Sequence, residues 1–571
     1  MGNLVFTLRI AGNFGVMVTR KPVDSKLLTD SQYKSRFRHE NETALPGYYS
    51  VFLEDANALA ELTASGTHSG MHRYNCSGNE TCSVIIDVCH TVLGSSTEKC
   101  KVASIKTTND NHIMTSEVSI LSYGEFSQRS SIGGLLVWGY FRAEAFDTKT
   151  GSPVAIQPQY WLGGEVHQGT VENVTVNGGS IGSVMSTSSS RPVTFLVRVG
   201  ISFCSAEDAR KNLETDQLNS QKVWISFDEG RETVQTLWDT VLSRVTVTLP
   251  SDIGNGKSSE ALVKLYTAVY HSFLAPTSYS EWDGRYLGFD WKIHHWKWWN
   301  NSTQTNTKCN IGETKANARC SENLIPESSF VSDLSLWDIH RTQTPWLTLA
   351  FPERARDIVE SLATMTVQSG DLPRWPFANF DTHCMIGSHG VVVMTDTLVK
   401  LCGKNLNYSC PFDKELVFKC AKNAVFQQDA QQRYDELHFV PAEESKQGAS
   451  ITLAQAYDDD IVGTLASYVG QQNTSIVLKK RGQYYQNVWS KSSLAFCSTY
   501  ANGTKDCPAY DFIPYPLTED YTEGNVWQWR WFVPHDVSGL IALFPNKSTY
   551  TNLLTIFFEK SVSRAFLEGL H

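Results

Sequence analysis

Up to about Ser205, apolar residues come in short runs rather than at helical spacing. GYYSVFLED from Gly47, LLVWGYFRAEAF from Leu135 and PVTFLVRVGISF from Pro192 are rich in β-branched and aromatic residues, and stretches such as NVTVNGGSIGS from Asn173 separate such runs. Runs of this composition bounded by turn formers predict strands. Many in succession predict an antiparallel sandwich. Further on the spacing turns helical. In SSEALVKLYTAVYHSFL, Leu262, Leu265, Tyr266, Val269 and Phe273 recur at three and four, with Ser258 and Ser259 as cap candidates. FPERARDIVESLATMTVQSG places Pro352 near a first helical position and Gly370 as a stop. Helical patterns return in SITLAQAYDDDIVGTLASYVG from Ser450 and STYTNLLTIFFEKSVSRAFL from Ser548. The expected organisation is a β-sandwich over 1–205, a linker with a helix around Glu232 to Leu242 over 206–255, and a helical domain over 256–571. Within the last, residues 291–329 fit neither pattern. An aromatic-basic patch, WKIHHWKWW, runs there into a polar loop framed by Cys309 and Cys320. It reads either as a stapled surface insertion or as a place where Trp and His stack on sugar rings.

Composition narrows the function. The 571 residues carry 49 Lys+Arg against 59 Asp+Glu, a net charge of −10, which argues against phosphate-backbone binding. With 41% hydrophobic and 19% charged residues there is material for large cores. No apolar stretch reaches the roughly 18 residues of a membrane span.

Thirteen cysteines include short-range pairs: Cys76 and Cys82, Cys89 and Cys100, Cys309 and Cys320, Cys402 and Cys410, Cys497 and Cys507. There is no C-x-x-C pair, so oxidised loops are expected rather than zinc. Asn41, Asn75, Asn79, Asn173, Asn300, Asn301, Asn407, Asn473, Asn502 and Asn546 each head an Asn-X-Ser/Thr triplet. Together these predict a secretory route, to the outside or to a lysosome or vacuole. The opening MGNLVFTLRIAGNFG lacks a signal peptide's basic start and unbroken apolar stretch. An incomplete N-terminus is expected.

Three stretches carry candidate chemistry. In YTEGNVWQWRWFVPHDVSGL, Glu523 precedes Trp527, Trp529, Trp531 and Phe532. A carboxyl walled by aromatics is desolvated and stays protonated longer, as a general acid must. The plain reading is a helix-start cap, with His535 and Asp536 as a hydrogen-bonded support. In SLWDIHRTQTPWLTL, Trp337, Asp338 and Arg341 combine a stacking face, an acceptor and a donor fork; the plain reading is an ion pair and a core tryptophan. In GDLPRWPFANFDTHCMIGSHG, Pro373 and Pro376 put Arg374 and Trp375 on a loop. His383, Cys384 and His389 match no zinc spacing. Asp458, Asp459 and Asp460 are consecutive on a helix and point different ways, which predicts solvated or capping roles.

Taken together, SLWDIHRTQTPWLTL, GDLPRWP, CMIGSHG, ITLAQAYDD and, most specifically, YTEGNVWQWRWFVPHDVSGL resemble glycoside hydrolase family 92, the calcium-dependent inverting exo-α-mannosidases. The resemblance implies an N-terminal antiparallel β-sandwich joined by linker helices to an (α/α)6 toroid. It implies that Glu523 is the general acid and that Trp337 and Asp338 hold the terminal mannose. Arg341, Arg374, Trp375, His389, Gln528, His535 and Asp536 would line or support the pocket. The family's usual acid in T-L-E-Y-A is Ala454 here, and its usual tryptophan after the acidic pair is Asp460. The family's Gly-rich opening has no counterpart before Met1, and its Gly-Asn-Glu-Pro calcium segment and Gly-Asn-Asp-Asp base segment would fall after His571. The toroid is therefore expected to be incomplete at its C-terminus, with no metal ligands in this chain, calcium being implied by the family alone. The expected function is an exo-acting α-mannosidase on N-glycans or related mannosides, inactive as this fragment. The partners are mannose-containing glycans, with no nucleic acid and no membrane span. A non-catalytic mannose-binding protein and a peptide-N-glycanase-type amidase are the alternatives.

Overall fold

The computed structural model describes residues 14–28, 32–78, 80–90, 99–127, 130–187, 191–247, 255–296, 328–403, 410–428, 430–507 and 519–567. Two compact units result. One ends at Asp333 and takes back Phe377–Thr382; the other comprises Leu334–Pro376 and the chain from His383 onward.

The first unit is built on fourteen strands among the described residues up to Ser202: β1 Gly15–Thr19, β2 Glu42–Leu45, β3 Tyr48–Leu53, β4 Ala58–Ala64, β5 Ser69–Cys76, β6 Ser83–Asp87, β7 Lys99–Asp110, β8 Ile113–Ser127, β9 Ser130–Asp147, β10 Ile156–Leu162, β11 Glu165–Gln168, β12 Val174–Asn177, β13 Ile181–Thr187 and β14 Val193–Ser202. They form a five-stranded sheet, β1-β6-β13-β10-β11, and a nine-stranded sheet, β12-β7-β8-β9-β14-β5-β4-β3-β2. The pairings are antiparallel. The Asn173 stretch, expected as a spacer, itself supplies β12 at a sheet edge. Alternation along the strands sends one set of side chains inward. Val84, Ile86, Ile181 and Met185 of the smaller sheet share a core with Val51, Tyr74, Ile105, Phe141 and Phe195 of the larger. The expected antiparallel β domain is present.

Ser205 caps the Ala206–Gln217 helix by accepting from Asp208 N–H, and Ser226 with Glu229 forms a capping box on Phe227–Leu242. The next helix runs Asn255–His271, so Ser258 and Ser259 lie inside it rather than at its cap. Of the 291–329 stretch, residues 297–327, with Cys309 and Cys320, lie outside the described residues. Its described start is half of a hairpin, Ile293–His295 against Arg285–Leu287, with Trp291 exposed near the turn. Four of the expected cysteine pairs are disulfides: Cys76–Cys82, Cys89–Cys100, Cys402–Cys410 and Cys497–Cys507.

Two carboxyls of this unit make its stability pH-dependent. Asp216 accepts from Ser69 Oγ at 2.6 Å, and burial, only partly offset by that bond, pushes it up to about 7. Asp333, bonded by Tyr279 OH and Ala378 N–H, is pushed by burial to about 6. A folded-state value above the unfolded ~3.9 favours folding fully below that pH, and the benefit is lost as pH rises through the folded value. Asp216→Asn, uncharged throughout, is therefore expected to melt a few °C above the parent at pH 8, with the gap shrinking by pH 5. Melting curves at the two pH values check this; an equal gap at both contradicts it.

The second unit is helical. Among the described residues it includes Gln343–Ala350, Pro352–Ser369, Gly390–Leu401, Lys414–Val425, Gly448–Tyr468, Gln472–Arg481, Val537–Leu543 and Lys547–Leu567. Pro352 sits at the predicted first turn, and Gly370 stops the same helix at φ 90°. Gly448–Tyr468 is buried on nearly all sides and packs against Gly390–Leu401, Lys414–Val425 and Gln472–Arg481. Its small residues permit this: a Cβ at Gly463 would sit 3.2 Å from the Lys479 backbone.

Candidate active site

The candidate site residues all fall in the helical unit. The turn carrying Glu523 is held from both sides. Thr522 N–H donates to Ser450 Oγ at 3.1 Å, Thr522 Oγ1 donates to Gln447 Oε1 at 2.8 Å, and Trp529 Nε1 donates to the Thr522 carbonyl at 2.9 Å. Asn525 caps the Val526–Trp529 turn in a capping box with Gln528, whose Oε1 accepts from Asn525 N–H at 3.0 Å. Between these anchors Glu523 adopts φ 41°, a left-handed conformation unusual for a residue with a side chain. Strain of this kind persists where the surroundings over-determine it. Gly524 cannot carry a side chain, because a Cβ would lie 2.9 Å from Trp529 Nε1.

The expectation that tryptophans wall the Glu523 carboxyl off from water is not met: Glu523 is exposed. The indoles pack on Arg530 instead. Its guanidinium lies 4.3 Å from the Trp527 ring and 5.9 Å from that of Trp531, and burial pushes it down to about 10. One tight helical turn brings residues 527 and 531 to the same side, flanking 530, and leaves 523 outside.

Trp529 links this turn to an aromatic cluster, its ring 5.1 Å from Phe532. Around Phe532 and Tyr457 gather several of the sequence candidates. His389 lies 6.3 Å from Phe532 and 5.7 Å from Tyr457. His535 stacks on Tyr457 at 5.8 Å. The Arg341 guanidinium lies over Phe532 at 4.8 Å and over Trp337 at 5.8 Å. Trp337 is half-buried on the short Leu336–Ile339 helix, and Asp338 beside it is exposed.

His389 is bonded through Nδ1 to Asp458 Oδ1 at 2.7 Å, and Ser388 N–H donates to Asp458 Oδ2 at 2.6 Å. His340 packs 4.4 Å from His389, its Nδ1 bonded to the Leu336 carbonyl at 2.9 Å. Burial, with the neighbouring Arg341 guanidinium adding to it, pushes His340 down to about 3.

The remaining candidates are structural at close range. Arg374 donates from Nη1 to the Met385 carbonyl at 2.9 Å, with half-buried Trp375 next to it. His535 Nε2 is bonded to the Gly482 carbonyl at 2.8 Å, and burial lowers its pKa. Asp536 caps Val537–Leu543, accepting from Gly539 N–H at 2.8 Å and Tyr485 OH at 2.9 Å; burial would raise its pKa, but these donors outweigh it and the net shift is downward. The three consecutive acids do point different ways. Two, however, are buried: Asp458 bonds His389, Asp459 bonds Tyr434 and Arg481, and Asp460 pairs with Lys479 at 2.7 Å. Sequence reasoning did not single out His340 or Tyr457, and it expected a solvated or capping role for Asp458, which is buried. Helical spacing from the buried Ala454 to Asp458 carried that signal for the last.

A β-rich domain is followed by a helical domain that carries an exposed carboxyl on a turn linked to an aromatic and hydrogen-bonding cluster. Residues 208–569 match the glycosyl hydrolase family 92 catalytic domain, and residues 8–202 the family 92 N-terminal domain. The chain belongs to glycosyl hydrolase family 92.

Its fold is shared with a family GH92 alpha-mannosidase of Bacteroides thetaiotaomicron (TM-score 0.75, 24% identity, 95% of this chain and 65% of that one). The structure of that enzyme in complex with mannoimidazole aligns with TM-score 0.74 and 24% identity over 96% of this chain and 64% of that one. A family GH92 inverting mannosidase of the same species aligns with TM-score 0.70 and 19% identity over 93% and 62%. The chain thus spans just under two thirds of each of these proteins. No curated protein matches the sequence.

Proposed function

We propose that this chain is the β-sandwich and acid-bearing part of an exo-acting, inverting α-mannosidase that removes terminal mannose from N-glycans or related mannosides. The observation that carries the reading is the exposed Glu523 carboxyl, held on a left-handed turn anchored by buried Thr522, Asn525 and Trp529. In inverting hydrolysis a water oxygen bonds to the anomeric carbon as the glycosidic C–O bond breaks. The acid protonates the departing oxygen, and a carboxylate base roughly 6.5–9.5 Å away takes the water's proton. Glu523 is the proton donor. Trp337 offers an indole face to the sugar's C–H surface, Asp338 accepts from its hydroxyls, and Arg341, steadied on Phe532, donates to them.

Calcium is implied by the family. Among the described residues no group of three or more His, Cys, Asp or Glu could hold a metal. Of the acids nearest the cluster, Asp458 uses both oxygens on His389 and Ser388, while Oδ2 of Asp459 serves Tyr434 and Arg481 and Oδ2 of Asp460 serves Lys479. Four disulfides, and exposed sequon asparagines at 41, 173, 473, 502 and 546, support a secretory-route protein. No helix among the described residues is long and apolar enough to cross a membrane.

The stereochemistry tests the proposal. Proton NMR of the first turnover of an aryl α-mannoside, by the enzyme that pairs this chain with a carboxylate base, is expected to show β-mannose before mutarotation. α-Mannose as the first product contradicts an inverting mechanism.

A further inference from the structure

Three buried side-chain atoms in the cluster have no partner among the described residues: Nε2 of His389, Nε1 of Trp337 and Nδ1 of His535. An unpaired polar atom in a low-dielectric interior is costly, so it persists where something else fills the bond. The surroundings of His389 are built for orientation rather than looseness. Its Nδ1 faces Asp458 Oδ1 at 2.7 Å, and the second carboxylate oxygen is taken by Ser388 N–H at 2.6 Å. A carboxylate only accepts, so in the neutral imidazole the proton sits on Nδ1 and Nε2 presents a lone pair. Gly387, at φ 72°, makes the close packing possible: a Cβ there would meet His389 Cε1 at 2.9 Å and Asp458 Oδ2 at 3.2 Å. His340 and Phe532 flank the imidazole at 4.4 and 6.3 Å. The cluster is not sealed, because Arg341, stacked on Phe532 and Trp337, is exposed.

We propose that the His389–Asp458 pair is a hydroxyl-binding dyad, in which Asp458 fixes the imidazole so that Nε2 of His389 accepts a hydrogen bond from one hydroxyl of the bound sugar. The inference rests on the α-mannosidase reading and adds a specificity residue to it: His389 touches the sugar and Asp458 positions His389. A hydroxyl fits because it donates to the imidazole lone pair and still accepts from a donor-only group such as Trp337 Nε1. An axial or equatorial change at that carbon, or its deoxygenation, leaves a buried acceptor unpaired, the situation in which binding sites discriminate most sharply.

The test uses the whole chain labelled with nitrogen-15 histidine and titrated with methyl α-D-mannopyranoside. Unprotonated Nε2 of His389 is expected to resonate as a free imidazole acceptor and to shift on saturation; a purely structural imidazole would not move. Asp458→Asn retains a hydrogen bond to each neighbour, but its amide donates to Nδ1 and moves the proton to Nε2. It is expected to weaken mannoside binding about tenfold or more. One of the four mono-deoxymannosides should lose affinity for the parent and lose no more with His389→Gln. Binding with an unmoved Nε2 resonance and unchanged affinity in both variants overturns the dyad and leaves the α-mannoside reading intact. No binding of the mannoside by the parent chain overturns both.

Discussion

Glu523→Gln, in the enzyme that pairs this chain with a carboxylate base, is expected to cut turnover of an unactivated α-mannosyl disaccharide by about 10²–10⁴-fold, the usual contribution of a positioned proton donor. Glutamine keeps the shape and the hydrogen-bonding reach of the side chain and removes only the transferable proton. Residue 523 is exposed, so the exchange leaves the buried bonds of Thr522 and Trp529 in place. Stability should therefore stay within about 0.5 kcal/mol of the parent, as for most surface substitutions. Substrate affinity, which depends on the sugar and not on the departing oxygen's proton, should change far less than kcat. A fall in melting temperature that parallels the loss of rate would show instead that the turn is structural. The left-handed φ of 41° adds a second handle. Glu523→Gly relieves the backbone and deletes the carboxyl, so it should lose activity without losing stability.

Arg481→Met is expected to destabilise the helical unit by about 3–5 kcal/mol above pH 7, the range for breaking a buried ion pair from one side. Arg481 is 5% exposed and holds three partners: Asp459 through Nε, Asp435 through Nη1 and the Val425 carbonyl through Nη2, each at 3.0 Å. Its guanidinium also lies 4.7 Å from the Phe426 ring and 5.3 Å from that of Tyr434. Asp459 opposite it is fully buried, and burial pushes its carboxyl up to about 7, with Arg481 and Tyr434 opposing that rise. Without Arg481 the value climbs further. A raised folded-state value stabilises at low pH and is lost as pH increases. The gap between parent and variant should thus widen from pH 5 to pH 8. Denaturant unfolding at both pH values measures it, and adding Asp459→Asn to Arg481→Met should recover part of the loss at pH 8. A gap that does not depend on pH contradicts the ion-pair account.

The outline of the fold was legible in the chain because period and composition change sharply near its middle. Strand runs at Gly47, Leu135 and Pro192 became β3, β9 and β14, and the Pro352 and Gly370 signals marked their helix to the residue. Errors arose where local patterns compete. Asn173's turn-forming neighbours concealed an edge strand, which tolerates polar residues because one side faces water. Ser258 and Ser259 looked like caps because the apolar stripe starts after them, yet the helix starts earlier at Asn255.

The site was legible as motifs and not as geometry. Nothing in the one-dimensional spacing of Trp527 and Trp531 says that their aromatic faces close on Arg530 rather than Glu523. Asp458 was hidden by its neighbours, since three adjacent acids suggest solvent until a helix buried on nearly all sides turns two of them inward. Asn525 and Gln528 spell a capping box in sequence, and the structure uses them as one.

The leaving group provides the most direct measurement of the central claim, that Glu523 delivers a proton to the departing oxygen. The comparison is the ratio of kcat/KM for Glu523→Gln to that of the parent, taken for an alkyl α-mannoside and for a 2,4-dinitrophenyl α-mannoside, whose phenolate leaves without protonation. The account predicts a deep loss on the alkyl substrate and near-parent rates on the dinitrophenyl one. An equal loss on both substrates contradicts it.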